Sequence, residues 1–217
     1  MSEEATRVTD RHFRYLAERT VQDDEFLAAL KRAAQEEAIP AIAVSAEQAS
    51  FMQILLRLRG ARDVVEVGTL AGYSAIAMAR ALPDDGRVRT IEIEPGFAAF
   101  ARRWIAKSDV SHKVEVIVGA GMDVLPRFEA ASADACFLDA DKASYGAYLT
   151  ECLRILRPGG LVMVDNAFAF GQLFDERPTD PEAPAIQAFN DLIPSVVGLH
   201  SIIVPLGDGM WVGVKKS

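Results

Sequence analysis

Five short stretches put carboxylates, amides and glycines where chemistry is possible. They are Glu66-Val-Gly68-Thr-Leu-Ala-Gly72, Glu92, Gly119-Ala120, Asp139-Ala-Asp141-Lys142 and Asp165-Asn166. The first is a G-x-x-x-G turn, not the G-x-G-x-x-G that cradles a dinucleotide pyrophosphate. Glycines at such a turn let a ligand approach the backbone closely. Glu66, just ahead of it, would repel a pyrophosphate and suit a cationic ligand. Glu92 follows about twenty residues beyond the turn, where an acid commonly accepts ribose hydroxyls. Taken singly, each acid also reads as a helix N-cap, and Asp165-Asn166 as turn chemistry.

An alternation of strands and helices positions these stretches. Strands are expected at 63–67, 87–93, 113–118, 133–138 and 160–164, with helices at 73–82, 96–107 and 145–156 between them. Such alternation predicts an α/β fold with a parallel sheet covered on both faces. A further helix is expected from 184 to about 193. Two last strands follow, 199–205 and 210–215, joined through Gly207-Asp208-Gly209, a hairpin signal that makes this edge antiparallel. Ahead of the sheet, residues 1–43 read as helical, with Phe26, Leu27 and Leu30 at helical spacing in a stretch over 21–37. Ser45-Ala-Glu-Gln48 is a capping-box signature for the next helix. Pro178 to Pro184 reads as a surface loop. In open α/β sheets ligands bind beyond the carboxyl ends of the strands, where all five stretches fall. A ligand with ribose and positive charge but no pyrophosphate fits S-adenosylmethionine better than NAD.

Val64-Val-Glu-Val-Gly-Thr-Leu-Ala-Gly-Tyr-Ser-Ala75, Ile91-Glu-Ile-Glu-Pro95, Phe137-Leu-Asp-Ala-Asp-Lys142, Leu156-Arg-Pro-Gly-Gly160 and Val164-Asp-Asn166 resemble the cation-dependent O-methyltransferases. That family includes catechol and caffeoyl-CoA O-methyltransferases and bacterial relatives. The similarity runs from about Val44 onward, including the Gly207-Asp-Gly209 hairpin. It implies a Rossmann-like class I methyltransferase fold with a mostly parallel seven-stranded sheet. It also implies one domain, with residues 1–43 as a helical lid and 44–217 as the cofactor-binding core. Carried over by position, the cofactor contacts fall on Val44, Glu66, Gly68, Thr69, Ser74, Glu92, Ala120 and Asp141.

The resemblance places metal ligands at Asp139, Asp165 and Asn166 and a candidate general base at Lys142. Three hard oxygen donors suit Mg²⁺, Mn²⁺ or Ca²⁺, whereas zinc prefers nitrogen and sulfur. Neighbouring strand residues point to opposite faces, so Asp165 and Asn166 converge on one ion only if the strand ends there and the chain turns. A dication would stabilise a phenolate and fix two neighbouring oxygens, which suits a small aromatic vicinal diol. Ala167-Phe-Ala-Phe170 departs from the family pattern. It reads either as an apolar acceptor wall or as a mobile loop packed on the first helices. A CoA-ester acceptor is disfavoured here, also because no basic cluster stands ready for its phosphates. The competing readings are a silent S-adenosylmethionine-binding protein and a methyltransferase for a non-catechol hydroxyl.

Composition sets the outer limits. The chain has 217 residues, half of them hydrophobic, and a formal net charge of −8. This is enough for one domain with a sizeable core. Such an acidic body is a poor partner for nucleic acid or anionic membrane. A nucleic-acid amino-methyltransferase would also carry a Pro-Pro-aromatic motif where Asp139-Ala-Asp-Lys142 stands. Cys136 and Cys152 sit in apolar stretches and make no disulfide framework. His12, His112 and His200 match no motif. The acidic start at Met1 to Glu4 has no apolar leader, and no apolar run approaches a membrane span, so a cytoplasmic protein is expected. A homodimer is expected by analogy with the family.

Overall fold

The computed structural model describes residues 8–216; the acidic start at Met1 to Glu4 and the first residues of the expected lid lie outside them. Eight helices and seven strands follow in this order: α1 (Asp10–Ala17), α2 (Glu25–Glu36), α3 (Ala46–Arg59), β1 (Asp63–Val67), α4 (Tyr73–Ala79), β2 (Arg87–Glu92), α5 (Pro95–Ile105), β3 (Val114–Val118), α6 (Gly121–Val124), β4 (Ala133–Leu138), α7 (Tyr145–Ile155), β5 (Leu156–Val164), α8 (Ala183–Leu192), β6 (Leu199–Val204) and β7 (Met210–Lys215). Short 3-10 turns join several of them.

One sheet has the order β3-β2-β1-β4-β5-β7-β6. β1 to β5 pair in parallel, and β7 runs antiparallel to both β5 and β6. The central strand β4 and the last residues of β5, Leu161 to Val164, read as mostly apolar runs because both of their faces are buried. Along β4, Ala135 and Phe137 face one cluster, and Cys136 and Leu138 the other. The first cluster is completed by residues of α2 to α5, the second by residues of α7 and α8. The two cysteines are free and buried in the second cluster. Among the described residues, no helix is long and apolar enough to cross a membrane.

The local signals explain most boundaries. Asp24 accepts a hydrogen bond from the Leu27 N–H at 2.9 Å, so α2 begins at Glu25 and not at the expected Val21. Ser45 and Gln48 form the expected capping box, and Gly60 ends α3 with φ 65°. β5 begins earlier than the expected Gly160; the pairing slips between Ala133 and Ala135, opposite the Pro158-Gly159-Gly160 stretch. The four-residue α6 has no clear periodicity in the sequence and was not expected.

α2 is part of the core. Leu27, Leu30 and Ala34 are buried in the same cluster as Met52 and Leu56 of α3. Phe26 meets the Trp104 ring of α5 edge-on at 5.5 Å. Asp23 accepts from Tyr73 Oη at 2.5 Å and from Lys31 Nζ at 2.7 Å, which ties the start of α2 to the turn before α4. α1 buries no residue.

Candidate active site

Gly68 and Gly72 shape the turn after β1. Gly68 has φ 102°, and a Cβ there would lie 1.9 Å from the Asp139 carbonyl oxygen. This glycine therefore lets the ends of β1 and β4 meet, a reason distinct from ligand approach. Gly72 has φ 86° and caps α4. Glu92 closes the turn from β2: it accepts from the Leu70 N–H at 2.7 Å and the Glu94 N–H at 2.9 Å.

These turns and the ends of β4 and β5 surround a cavity of about 680 Å³, a size suited to a small-molecule ligand. Val44, Gly68, Thr69, Ser74, Glu92, Asp139, Asp141, Lys142 and Asn166 all line it, as the sequence predicted. Glu66, Ala120 and Asp165 do not. Gly119 and Gly121 do, so Ala120 is bracketed by the wall.

Glu66 lies behind the wall because β1 turns it toward the α4 side of the sheet. It is fully buried, and Ser74 Oγ donates to its Oε1 at 2.5 Å. Its Oε2 has no hydrogen-bond partner. Burial pushes the Glu66 carboxyl up to about 8. Contact with a ligand would pass through Ser74 or follow a rearrangement of the turn.

A second group of polar residues begins where β5 stops. β5 ends at Val164, and Asn166 turns with φ 67°, the left-handed backbone that asparagine tolerates. Such a turn is what convergence of Asp165 and Asn166 on one ion would require. Leu138 and Val164 are register partners, so Asp139 and Asp165 follow side by side. Burial, and then the charge of Asp139, push the Asp165 carboxyl up to about 7.

Each of the three oxygen-bearing side chains is oriented through one of its atoms. Lys142 Nζ donates to Asp139 Oδ1 at 3.0 Å, and Gln48 Nε2 donates to Asp165 Oδ1 at 2.6 Å. Asn166 Nδ2 donates to Asp208 Oδ2 at 3.3 Å, at the tip of the β6–β7 hairpin. Asp139 Oδ2, Asp165 Oδ2 and Asn166 Oδ1 take no side-chain donor among the described residues. Two adjacent, partly buried carboxylates and an amide oxygen fit a hard dication. Among the described residues no group of three or more His, Cys, Asp or Glu could hold a metal, so any ion here depends on the Asn166 oxygen.

Sequence reasoning missed four residues that complete this end. Tyr145 is fully buried and accepts from Lys142 Nζ at 2.8 Å; burial and the nearby Asp139 hold its phenol well above its ordinary value. Gln48 was read only as a helix cap. Asp180 and Glu182 come from the stretch read as a surface loop, yet both line the cavity. Of the phenylalanines after Asn166, Phe168 packs on Gly209, while Phe170 lines the cavity and donates its N–H to Asp208 Oδ2 at 2.9 Å. Phe170 thus forms part of the cavity wall.

The family model described as O-methyltransferase matches residues 17–216. A catechol O-methyltransferase of Niastella koreensis is 36% identical over 205 residues, covering 93% of this chain and 90% of the relative. A catechol O-methyltransferase of Mycobacterium tuberculosis is 37% identical over 186 residues, covering 86% and 82%. The crystal structure of the O-methyltransferase TomG from Streptomyces achromogenes, in complex with SAM, superposes with a TM-score of 0.84 at 35% identity, covering 95% of this chain and 96% of that one.

Proposed function

The chain belongs to the O-methyltransferase family, and from that premise we propose that it moves the methyl group of S-adenosylmethionine to one hydroxyl of a catechol-like diol with help from a divalent cation. The observation that supports this reading is that Asp139 and Asp165 follow paired strand ends with Asn166 in the turn after them, while Lys142 holds Asp139 and Gln48 holds Asp165, and that Asp139, Asn166 and Lys142 line the cavity with Asp165 buried behind them. Val44, Gly68, Thr69, Ser74, Glu92, Ala120 and Asp141 are proposed to hold the cofactor, with Glu66 supporting Ser74 from behind. The names of the two catechol O-methyltransferase relatives support the diol acceptor.

A bound Mg²⁺ or Mn²⁺ would stabilise the phenolate and fix the two diol oxygens. The protein's own residues do the rest. Lys142 Nζ lies within hydrogen-bond reach of Asp139 and Tyr145, and as the neutral amine, once its own proton has left, it would take the hydroxyl proton. Glu92 is placed to accept the ribose hydroxyls, because its backbone partners fix its carboxylate at the cavity wall. Ile42 and Phe170 add apolar surface to the cavity wall. Holding both substrates in line is a large part of such catalysis.

Residues 1–43 and 44–217 are proposed to act as one domain, the former closing over the acceptor, since Ile42 and Ala43 already line the cavity. A cytoplasmic homodimer remains our expectation. The test is methyl transfer from labelled cofactor to catechol, in EDTA and after Mg²⁺ is restored. Transfer that needs the metal supports the reading; full activity in EDTA removes the cation from it.

A further inference from the structure

We propose that Asp208, at the tip of the β6–β7 hairpin, is a positioning residue for the metal centre: it fixes the sense of the Asn166 amide, so that the oxygen end is left for the cation. This rests on the metal-assisted reading above and adds to it a residue that is not itself a ligand.

The backbone after β5 is strained. Asn166, Ala169 and Phe170 have φ 67°, 53° and 56°, a region that side chains rarely adopt. Asparagine tolerates it, whereas alanine and phenylalanine have no polar side chain to ease it. Such a run persists only where its surroundings over-determine it. Here the surroundings are the hairpin tip. The Ala167 N–H donates to the Gly209 carbonyl and the Phe168 N–H to the Asp208 carbonyl, both at 2.8 Å. The Phe170 N–H donates to Asp208 Oδ2 at 2.9 Å, and Asn166 Nδ2 donates to the same oxygen at 3.3 Å. The tip also lies close to its neighbours. A Cβ at Gly209 would come within 2.8 Å of the Phe168 ring, and one at Gly207 would collide with the side chain of Gln48, the residue that holds Asp165.

An amide offers an ion two unlike ends. Its oxygen can ligate a hard cation, and its NH₂ group, which only donates, cannot. The two ends have nearly the same shape, so packing alone does not choose between them. An ionised carboxylate does, because it only accepts hydrogen bonds. Asp208 Oδ2 therefore takes the nitrogen end of Asn166, a residue that lines the cavity, and Asn166 Oδ1 stays without a side-chain donor among the described residues. The Phe170 N–H holds the same carboxylate oxygen from the backbone, so its place does not depend on Asn166. Among the described residues the half-buried Asp208 side chain meets no other donor.

The experiment titrates Mn²⁺ into the S-adenosylmethionine-bound enzyme by calorimetry, up to millimolar metal. Asp208→Ala should weaken Mn²⁺ binding by about 10–100-fold. Asp208→Asn should recover most of the affinity, because its amide oxygen, held by the Phe170 N–H, still accepts from Asn166. In an Asn166→Ala background, Asp208→Ala should cost nothing further, since changes that act through one contact do not add. S-adenosylmethionine affinity should match the wild type's in every variant; its loss in Asp208→Ala would mean a general collapse of the site and overturn the proposal. Unchanged Mn²⁺ affinity in Asp208→Ala, no recovery in Asp208→Asn, or the same loss in the Asn166→Ala background also overturns it and leaves the metal reading standing. A wild type that binds no Mn²⁺ overturns the metal reading and this proposal with it.

Discussion

Glu66 sits fully buried on β1 with one oxygen on Ser74 and the other unpartnered, and burial lifts its carboxyl from an ordinary 4.5 to about 8. Between those values the folded protein keeps a proton that the unfolded chain has lost. The favourable contribution is complete below 4.5 and is lost as pH rises through about 8. Its slope in that window is at most about 1.4 kcal/mol per pH unit. Glu66→Gln removes the titration, so the variant's Tm should fall less than the wild type's between pH 5 and pH 8, in protein free of cofactor; parallel curves would contradict this. At the metal locus, Asp165 brings a charge and Asn166 a neutral oxygen. Asp165→Ala should therefore cost roughly tenfold more Mg²⁺-dependent activity than Asn166→Ala. Similar losses in steady-state assays would argue that the carboxylate is not a ligand.

The start of α3 does two jobs. Ser45 and Gln48 close a capping box, and the same Gln48 reaches across to Asp165. Gln48→Ala should lower stability by about 1 kcal/mol through the lost cap. It should also weaken Mn²⁺ affinity by about 10–100-fold, the usual cost of losing a hydrogen bond that orients a ligand. Calorimetric titration and thermal melts separate the two effects. The cap was legible in the sequence because its partners lie three residues apart. The bond to Asp165 was not, since it joins residues 117 positions apart and depends on how α3 lies over β5. The same contrast runs through the fold. Strands with long apolar runs and helices with caps were read to within a few residues, whereas α6, too short for a period, was missed. The stretch from Pro178 to Pro184 looked like loop because proline and acid are all it shows locally. That its acids line the cavity shows only once the chain has folded, with Glu182 at the Lys142 N–H and Asp180 at the Glu182 N–H. α2 carries the converse lesson. It lies within the stretch proposed to close over the acceptor, and its Leu30 is fully buried in the core, a packing that only the three-dimensional arrangement shows. Leu30→Ala should cost about 2–5 kcal/mol in a denaturant titration, while removing residues 1–20, and α1 with them, should leave stability nearly unchanged.

Across the whole molecule, the cavity divides by strand. The proposed cofactor contacts come mostly from the ends of β1, β2 and β3, and the proposed metal ligands from those of β4 and β5. S-adenosylmethionine should therefore bind with the same affinity in EDTA as in Mg²⁺, while transfer needs the metal; a calorimetric Kd that changes tenfold between the two would join the halves. The division was readable because polar and small residues cluster at the carboxyl ends of the expected strands. The contribution of the β6–β7 hairpin was not, and it reaches further than its position at the sheet edge suggests. One carboxylate oxygen there, Asp208 Oδ2, takes both the Asn166 amide and the Phe170 N–H. The proposed metal ligand and this part of the cavity wall thus hang from a single atom. For a lineage drifting toward a new acceptor, the two routes are unequal. Changes at Ile42, Asp180 or Glu182 alter the pocket and leave that atom's partners alone. A change that moves the backbone at Phe170 also disturbs Asn166, so retuning the wall by this route passes through variants with a weakened metal centre.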